Sequence, residues 1–288
     1  MHLLLLLLQA AAQPPALTVD EIMARVAENQ DRAREARTEW VFHQDVLARL
    51  HRGNGKLARE ESWEYVVTPQ PKGVKKDLLH FAGQYEQKGK MISYDHPHYE
   101  YKGIDIDGDV ISSMGEDFAK DAGDEDEDKK GTDLFPLTRQ HQKRYQFTLE
   151  AHEDYRGIDS YRVTFRPKPR QPGSGKRDST IDSDAEDGDW KGEVVIDAKE
   201  FQPIVVTTGL AWGIPMAVRA LLGTDVKHVG FKITYKKVAD GVWFPESYGG
   251  EFFVKALFMY KRTISVGVKN SEFHKTDVQS KVAFETPQ

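Results

Sequence analysis

A period of two recurs along most of this chain, and it is interrupted by short turns. Trp40, Phe42, Val46 and Leu50 alternate with His43, Asp45, Arg49 and His51. Gly53-Asn54-Gly55 then supplies the positive φ angles of a hairpin turn, and the return strand sets Trp63, Tyr65 and Val67 against Glu64. Tyr145, Phe147 and Leu149 alternate with Gln146, Thr148 and Glu150, and a turn at Arg156-Gly157 leads to Tyr161, Val163 and Phe165. Val229, Phe231, Ile233 and Tyr235 alternate with Lys232, Thr234 and Lys236; Asp240-Gly241 turns into 242–257, and a last strand passes Ile264, Val266 and Val268. A strand sends successive side chains to opposite faces, so each segment has an apolar and a polar side. Short turns pair successive strands antiparallel, which specifies a meander.

One hairpin departs from simple alternation. In WKGEVVIDAKEFQPIVVTTGLAW, Trp190 to Trp212, the first strand places Val194 and Ile196 on one face and Val195 on the other. The second places Phe201, Val205 and Thr207 against Ile204, Val206 and Thr208. Phe252, Val254 and Ala256 likewise back onto Phe253, Leu257 and Met259. Strands apolar on both faces are expected to bury something on both.

Helical signals are fewer. Thr18 and Glu21 form a T-x-x-E capping box, and Val19, Ile22, Met23, Val26 and Ala33 share one face of a helix reaching about Arg37. A short helix is expected from Asp107 to Asp121, with Val110, Ile111, Met114 and Phe118 on one side. Gly213 to Gly223 reads as a short apolar helix inserted between strands. The charged run near 121–133 and the Gly/Ser/Pro-rich stretch 167–189 read as mobile loops. Both sit inside the meander, so residues 13–288 are expected to form a single domain.

With 288 residues, 39% of them hydrophobic, the chain can bury a sizeable core. A net charge of −6 gives no electrostatic reason to expect nucleic acid. The absence of cysteine excludes disulfides, thiolate metal sites, a cysteine nucleophile and a lipidated N-terminal cysteine. Leu3 to Leu8 followed by Ala10-Ala11-Ala12 has the form of a signal peptide spanning 1–12, with Pro14-Pro15 ending any helix there. Its n-region carries His2 and no Lys or Arg. The apolar run is too short to span a bilayer, so an exported, soluble, periplasmic protein is expected.

Motifs with chemistry are sparse. Asp95, His96, His98 and Glu100 are close in sequence but read as a polar loop held by Pro97. Asp105, Asp107, Asp109 and Glu116 fall at positions 1, 3, 5 and 12 of a calcium loop, yet Val110 stands where that loop needs glycine. No G-x-S-x-G, H-E-x-x-H, P-loop or G-x-G-x-x-G is present. No catalytic residue, metal or cofactor is therefore assigned.

The export signal, the T-x-D-E helix and the meander together resemble the LolA-like outer-membrane lipoprotein-sorting proteins. The stretches carrying the resemblance are LTVDEIMARVAENQDRAREAR, SYRVTFRPK, WKGEVVIDAKEFQPIVV and ITYKKVADGVWFPESY. The resemblance implies an α+β, mainly β fold: a curved antiparallel sheet forming an unclosed barrel, covered by the N-terminal helix and short lid helices. It also implies an apolar cavity holding acyl chains. Trp40, Phe42, Trp63, Phe147, Phe165 and Phe231 would line that cavity, and Ile214, Val218 and Leu221 would close it. The expected function is a monomeric, non-enzymatic carrier of lipid or acylated protein, with a membrane-associated protein as a further partner. The alternatives are an RseB-type sensor or scaffold, marked by an exposed apolar patch, and a hydrolase whose His and carboxylate converge in space.

Overall fold

The computed structural model describes residues 17–70, 74–101, 105–121, 137–168, 189–212, 225–256 and 260–276. The chain begins with helix α1 (Val19–Arg37) and strands β1 (Trp40–Arg52), β2 (Leu57–Pro69), β3 (Val74–Gln87) and β4 (Lys90–Tyr94). Helix α2 (Ile106–Asp121) and the single turn α3 (Arg139–Gln142) precede β5 (Tyr145–Tyr155), β6 (Ile158–Pro167), β7 (Asp189–Asp197) and β8 (Pro203–Trp212). Strands β9 (Asp225–Ala239), β10 (Val242–Ala256) and β11 (Tyr260–Lys275) complete it.

The eleven strands among the described residues join one unclosed antiparallel sheet in the order β4-β3-β2-β1-β11-β10-β9-β8-β7-β6-β5. Every neighbour is also a sequence neighbour except the β1–β11 pair, where Val46 faces Val268. The two edge strands, β4 and β5, are consecutive in the chain. The stretch 95–144, with α2 and α3, joins opposite edges of the sheet.

The turns form where expected, although of Gly53-Asn54-Gly55 only Gly55 takes positive φ, at 80°. Arg156 and Gly157 both take positive φ, 57° and 86°, as a two-residue hairpin requires. The capping box on α1 closes: Thr18 N donates to Glu21 Oε2 at 2.8 Å and Glu21 N to Thr18 Oγ1 at 3.3 Å. The Thr18 backbone bond holds the Glu21 carboxyl below its usual range.

Apolar and polar residues do not alternate cleanly over 74–94, and the reason is a register shift. Tyr65 pairs with Leu78 while Glu64 pairs with His80, so Leu79 is an extra residue. The bulge reverses the phase. Phe81 and Tyr85 then point to the covered face, whereas Leu78 and Leu79 are left 43% and 56% exposed.

Both long helices cover the same face of the sheet. Ile22, Met23 and Val26 of α1 pack with Val163, Phe165, Val194, Val206 and Ile233. Ile111 and Met114 of α2 pack with Val46, Leu50, Trp63, Phe81, Ile264 and Val266. The opposite face carries a polar row: Thr148, Thr164, Glu193, Thr207 and Lys232 follow one another across β5 to β9. Two-sided burial is thus narrower than the sequence pattern suggested. Val195 and Val205, directly paired, are buried on this second face, but Thr207 beside them is exposed. Across β5 to β9 the face away from the helices is therefore mainly polar.

Candidate ligand-binding face

The covered face can be followed as one row through all eleven strands. From β5 to β11 it reads Phe147, Phe165, Gly192, Thr208, Phe231, Gly250 and Val266. It continues through Ala48, Glu61, Gly83 and Tyr94 to the far edge. Aromatics and glycines are neighbours along it. A Cβ on Gly250 would lie 2.9 Å from the Phe231 ring, one on Gly192 2.9 Å from Phe165, and one on Gly83 2.1 Å from Tyr94. Each ring lies down over the neighbouring strand, in space that only glycine leaves. The aromatics thus pave the sheet.

Around Phe231 the paving is densest. Trp190 meets its ring edge-on at 5.2 Å and Phe252 at 5.4 Å, and all three are nearly fully buried. Thr208, paired between Gly192 and Phe231, is 4% exposed, and among the described residues its Oγ1 has no hydrogen-bond partner. It lies at the junction of two groups of side chains. Val206 and Ile233 on one side belong with α1, and Trp190 and Phe231 on the other belong with the α2 cluster. Half-buried Tyr248 packs against both.

The predicted cavity residues are distributed over this face, and they do not gather at one point. Phe147 and Phe165 contact each other, with centroids 6.4 Å apart, in the α1 cluster. Trp63 lies under α2, edge-on to Phe81. Phe231 belongs to the paved strip. Trp40 and Phe42 pack on Phe244, 5.9 and 5.8 Å away, in a separate cluster with Val67. Ile214, Val218 and Leu221 lie outside the described residues, as do the signal peptide and most of the two stretches read as loops.

Sequence reading missed a buried polar network beneath α2. Arg59 is 1% exposed; its Nε donates to Glu61 at 2.9 Å and to the Tyr94 hydroxyl at 2.8 Å. Its Nη1 donates to Asp105 at 2.6 Å and its Nη2 to the Tyr99 carbonyl at 2.7 Å. Glu61, fully buried, also accepts from Tyr94 at 2.6 Å and from Ser112 of α2 at 2.9 Å. Asp105 caps α2 through Gly108 N at 3.2 Å. Burial works against the Arg59 charge, but Tyr94, Glu61 and Asp105 more than offset it and hold its pKa above the usual value. Burial, with the bond to Glu61, pushes the Tyr94 phenol far up. The signal was present in the sequence: Arg59 and Glu61 share the parity of Trp63. Charges on an apolar strand face must find partners.

The calcium-like spacing is used otherwise. Asp105 serves Arg59, Asp107 takes both Arg262 Nε and Nη2 at 3.0 Å, and Glu116 pairs with His98 at 2.8 Å. Among the described residues no group of three or more His, Asp or Glu side chains could hold a metal. His98–Glu116, His152–Asp159 and His43–Glu272 are surface pairs. Thr138 Oγ1 and His141 Nδ1, 2.5 Å apart, make a local contact at the start of α3.

The sequence matches no family model and no curated protein. Among solved structures, a DUF1329 family protein from Desulfovibrio piger is 11% identical, with a TM-score of 0.36, over 89% of this chain and 94% of that one. Lipovitellin is 6% identical with a TM-score of 0.35, over 85% of this chain and 26% of that one. Each is a loose likeness of overall shape.

Proposed function

We propose that this protein is an exported, periplasmic, non-enzymatic carrier that holds the acyl chains of a lipid or an acylated protein against the helix-covered face of its sheet. The observation that carries the reading is the aromatic strip of Trp190, Phe231 and Phe252 beside a buried hydroxyl that has no hydrogen-bond partner among the described residues. Phe231 lies over Gly250 with Trp190 and Phe252 edge-on to it, and the three together make an apolar cluster; acyl chains ask for little else. Burying about fourteen carbons yields roughly 11 kcal/mol at ~0.8 kcal/mol per methylene, so binding needs no charged anchor. Leu3 to Leu8 and the alanines after them support export. A monomer that meets a membrane-associated protein completes the reading.

Native mass spectrometry of protein recovered from the periplasm tests it. A chain beginning near Gln13 with a co-purifying lipid is the expected result. Lipid-free protein that also fails to take up a fluorescent acyl probe would remove the carrier reading. One observation favours the scaffold alternative: Leu78, Leu79, Met91 and Ile92 are exposed on β3 and β4 at one edge of the sheet. If that edge binds a protein, Leu79→Lys abolishes recovery of a partner from solubilised envelope while lipid content is unchanged.

A further inference from the structure

We infer that the Thr208 hydroxyl is the polar anchor of the ligand site, and that it receives the uncharged carbonyl oxygen of an ester- or amide-linked acyl chain. This rests on the carrier reading above and narrows its ligand class. Thr208 is only 4% exposed, and its Oγ1 makes no hydrogen bond among the described residues. A buried hydroxyl left unpaired is destabilising, and native proteins rarely keep one without a use for it. Valine would fill the same volume and suit a strand equally well.

Its surroundings define what it could bind. The direct cross-strand neighbours on its face are Gly192 and Phe231, and Val206 precedes it on that face. The charged side chains of this region, Glu193 and Lys232, alternate onto the opposite face with Thr207. A carboxylate placed beside Thr208 would be desolvated, and among the described residues its immediate neighbours on that face, Gly192, Phe231 and Val206, carry no charge to pair with it. A neutral carbonyl oxygen needs one donor, and a hydroxyl supplies one. The acyl chain beyond that carbonyl would then run over Phe231 toward Trp190 and Phe252. A free fatty-acid anion fits this site poorly, whereas a glyceride, a phospholipid or an acylated cysteine fits it well.

The test uses Thr208→Val and Thr208→Ser in the full chain, with two probes: a pyrene-labelled fatty-acyl methyl ester and a pyrenyl alkane of equal length. Thr208→Val is expected to bind the ester five- to tenfold more weakly, as loss of one hydrogen bond predicts, and the alkane as tightly as wild type. Thr208→Ser restores ester binding. The urea midpoint of ligand-free Thr208→Val should rise, because the unpaired hydroxyl is gone. Affinity and stability then move in opposite directions, which a purely structural threonine would not produce. Equal ester affinity in wild type and Thr208→Val, or equal weakening of both probes, overturns the anchor but leaves the carrier. Failure of both probes to bind wild type overturns the carrier and the anchor together.

Discussion

Replacing Arg59 with methionine keeps much of the side-chain volume and removes the only cation among the five side chains of the buried network beneath α2. Four acceptors lose a donor at once: Glu61 at 2.9 Å, the Tyr94 hydroxyl at 2.8 Å, Asp105 at 2.6 Å and the Tyr99 carbonyl at 2.7 Å. Removing one member of a buried ion pair typically costs about 3–5 kcal/mol, because the remaining charge is left uncompensated. Here two carboxylates are orphaned, but each keeps other donors. Glu61 retains Tyr94 and Ser112, and Asp105 retains Gly108 N. A loss of ~4 kcal/mol is therefore expected, a large share of the ~5–15 kcal/mol that holds a typical protein folded. Equilibrium urea unfolding measures it, and hydrogen exchange should show α2 losing protection first. The triple variant Arg59→Met, Glu61→Leu, Asp105→Asn removes the charges together and leaves an oxygen to cap α2. It is expected to recover to within ~2 kcal/mol of wild type, since an apolar replacement of a buried ion pair is often neutral or better. A loss below ~1 kcal/mol for the single variant would refute the reasoning. So would a triple variant no more stable than the single one.

Two further perturbations probe the packing of α2. A Cβ on Gly115 would lie 2.3 Å from the Trp63 ring, so Gly115→Val should lift α2 from the sheet, cost ~1–3 kcal/mol and red-shift tryptophan emission; unchanged emission and stability would mean that the helix is held elsewhere. Burial, reinforced by the Glu116 charge, raises the Tyr65 phenol to about 12, and Tyr94 is pushed higher still. These folded-state values exceed the unfolded value of ~10. The stability they contribute is therefore fully present below pH ~10 and is lost as pH rises toward the folded values. A spectrophotometric titration should show at least two tyrosines ionising only as the fold opens, and reversible ionisation of every tyrosine near pH 10 in the folded protein would contradict it.

Local chemistry determined a large part of this protein. Thr18 and Glu21 announce α1, Arg156-Gly157 and Asp240-Gly241 announce hairpins, and alternation at 40–50, 145–149 and 229–235 announces strands. Those signals depend on sterics and hydrogen bonds within a few residues, so a linear reading finds them. Even the parity of Arg59 and Glu61 was legible, as charges on the Trp63 side of β2. Tertiary structure decided the rest. It brought β11 against β1, left β4 and β5 as separate edges, and shifted the phase of β3 through a residue accommodated only because β2 lies alongside. It supplied Asp105 and Ser112 to charges on a strand far earlier in the chain. It also left Thr208, an ordinary strand former by sequence, buried without a hydrogen-bond partner among the described residues. Hydrogen-bond satisfaction and burial depend on which distant elements come to lie over a residue, and the chain around that residue does not encode them.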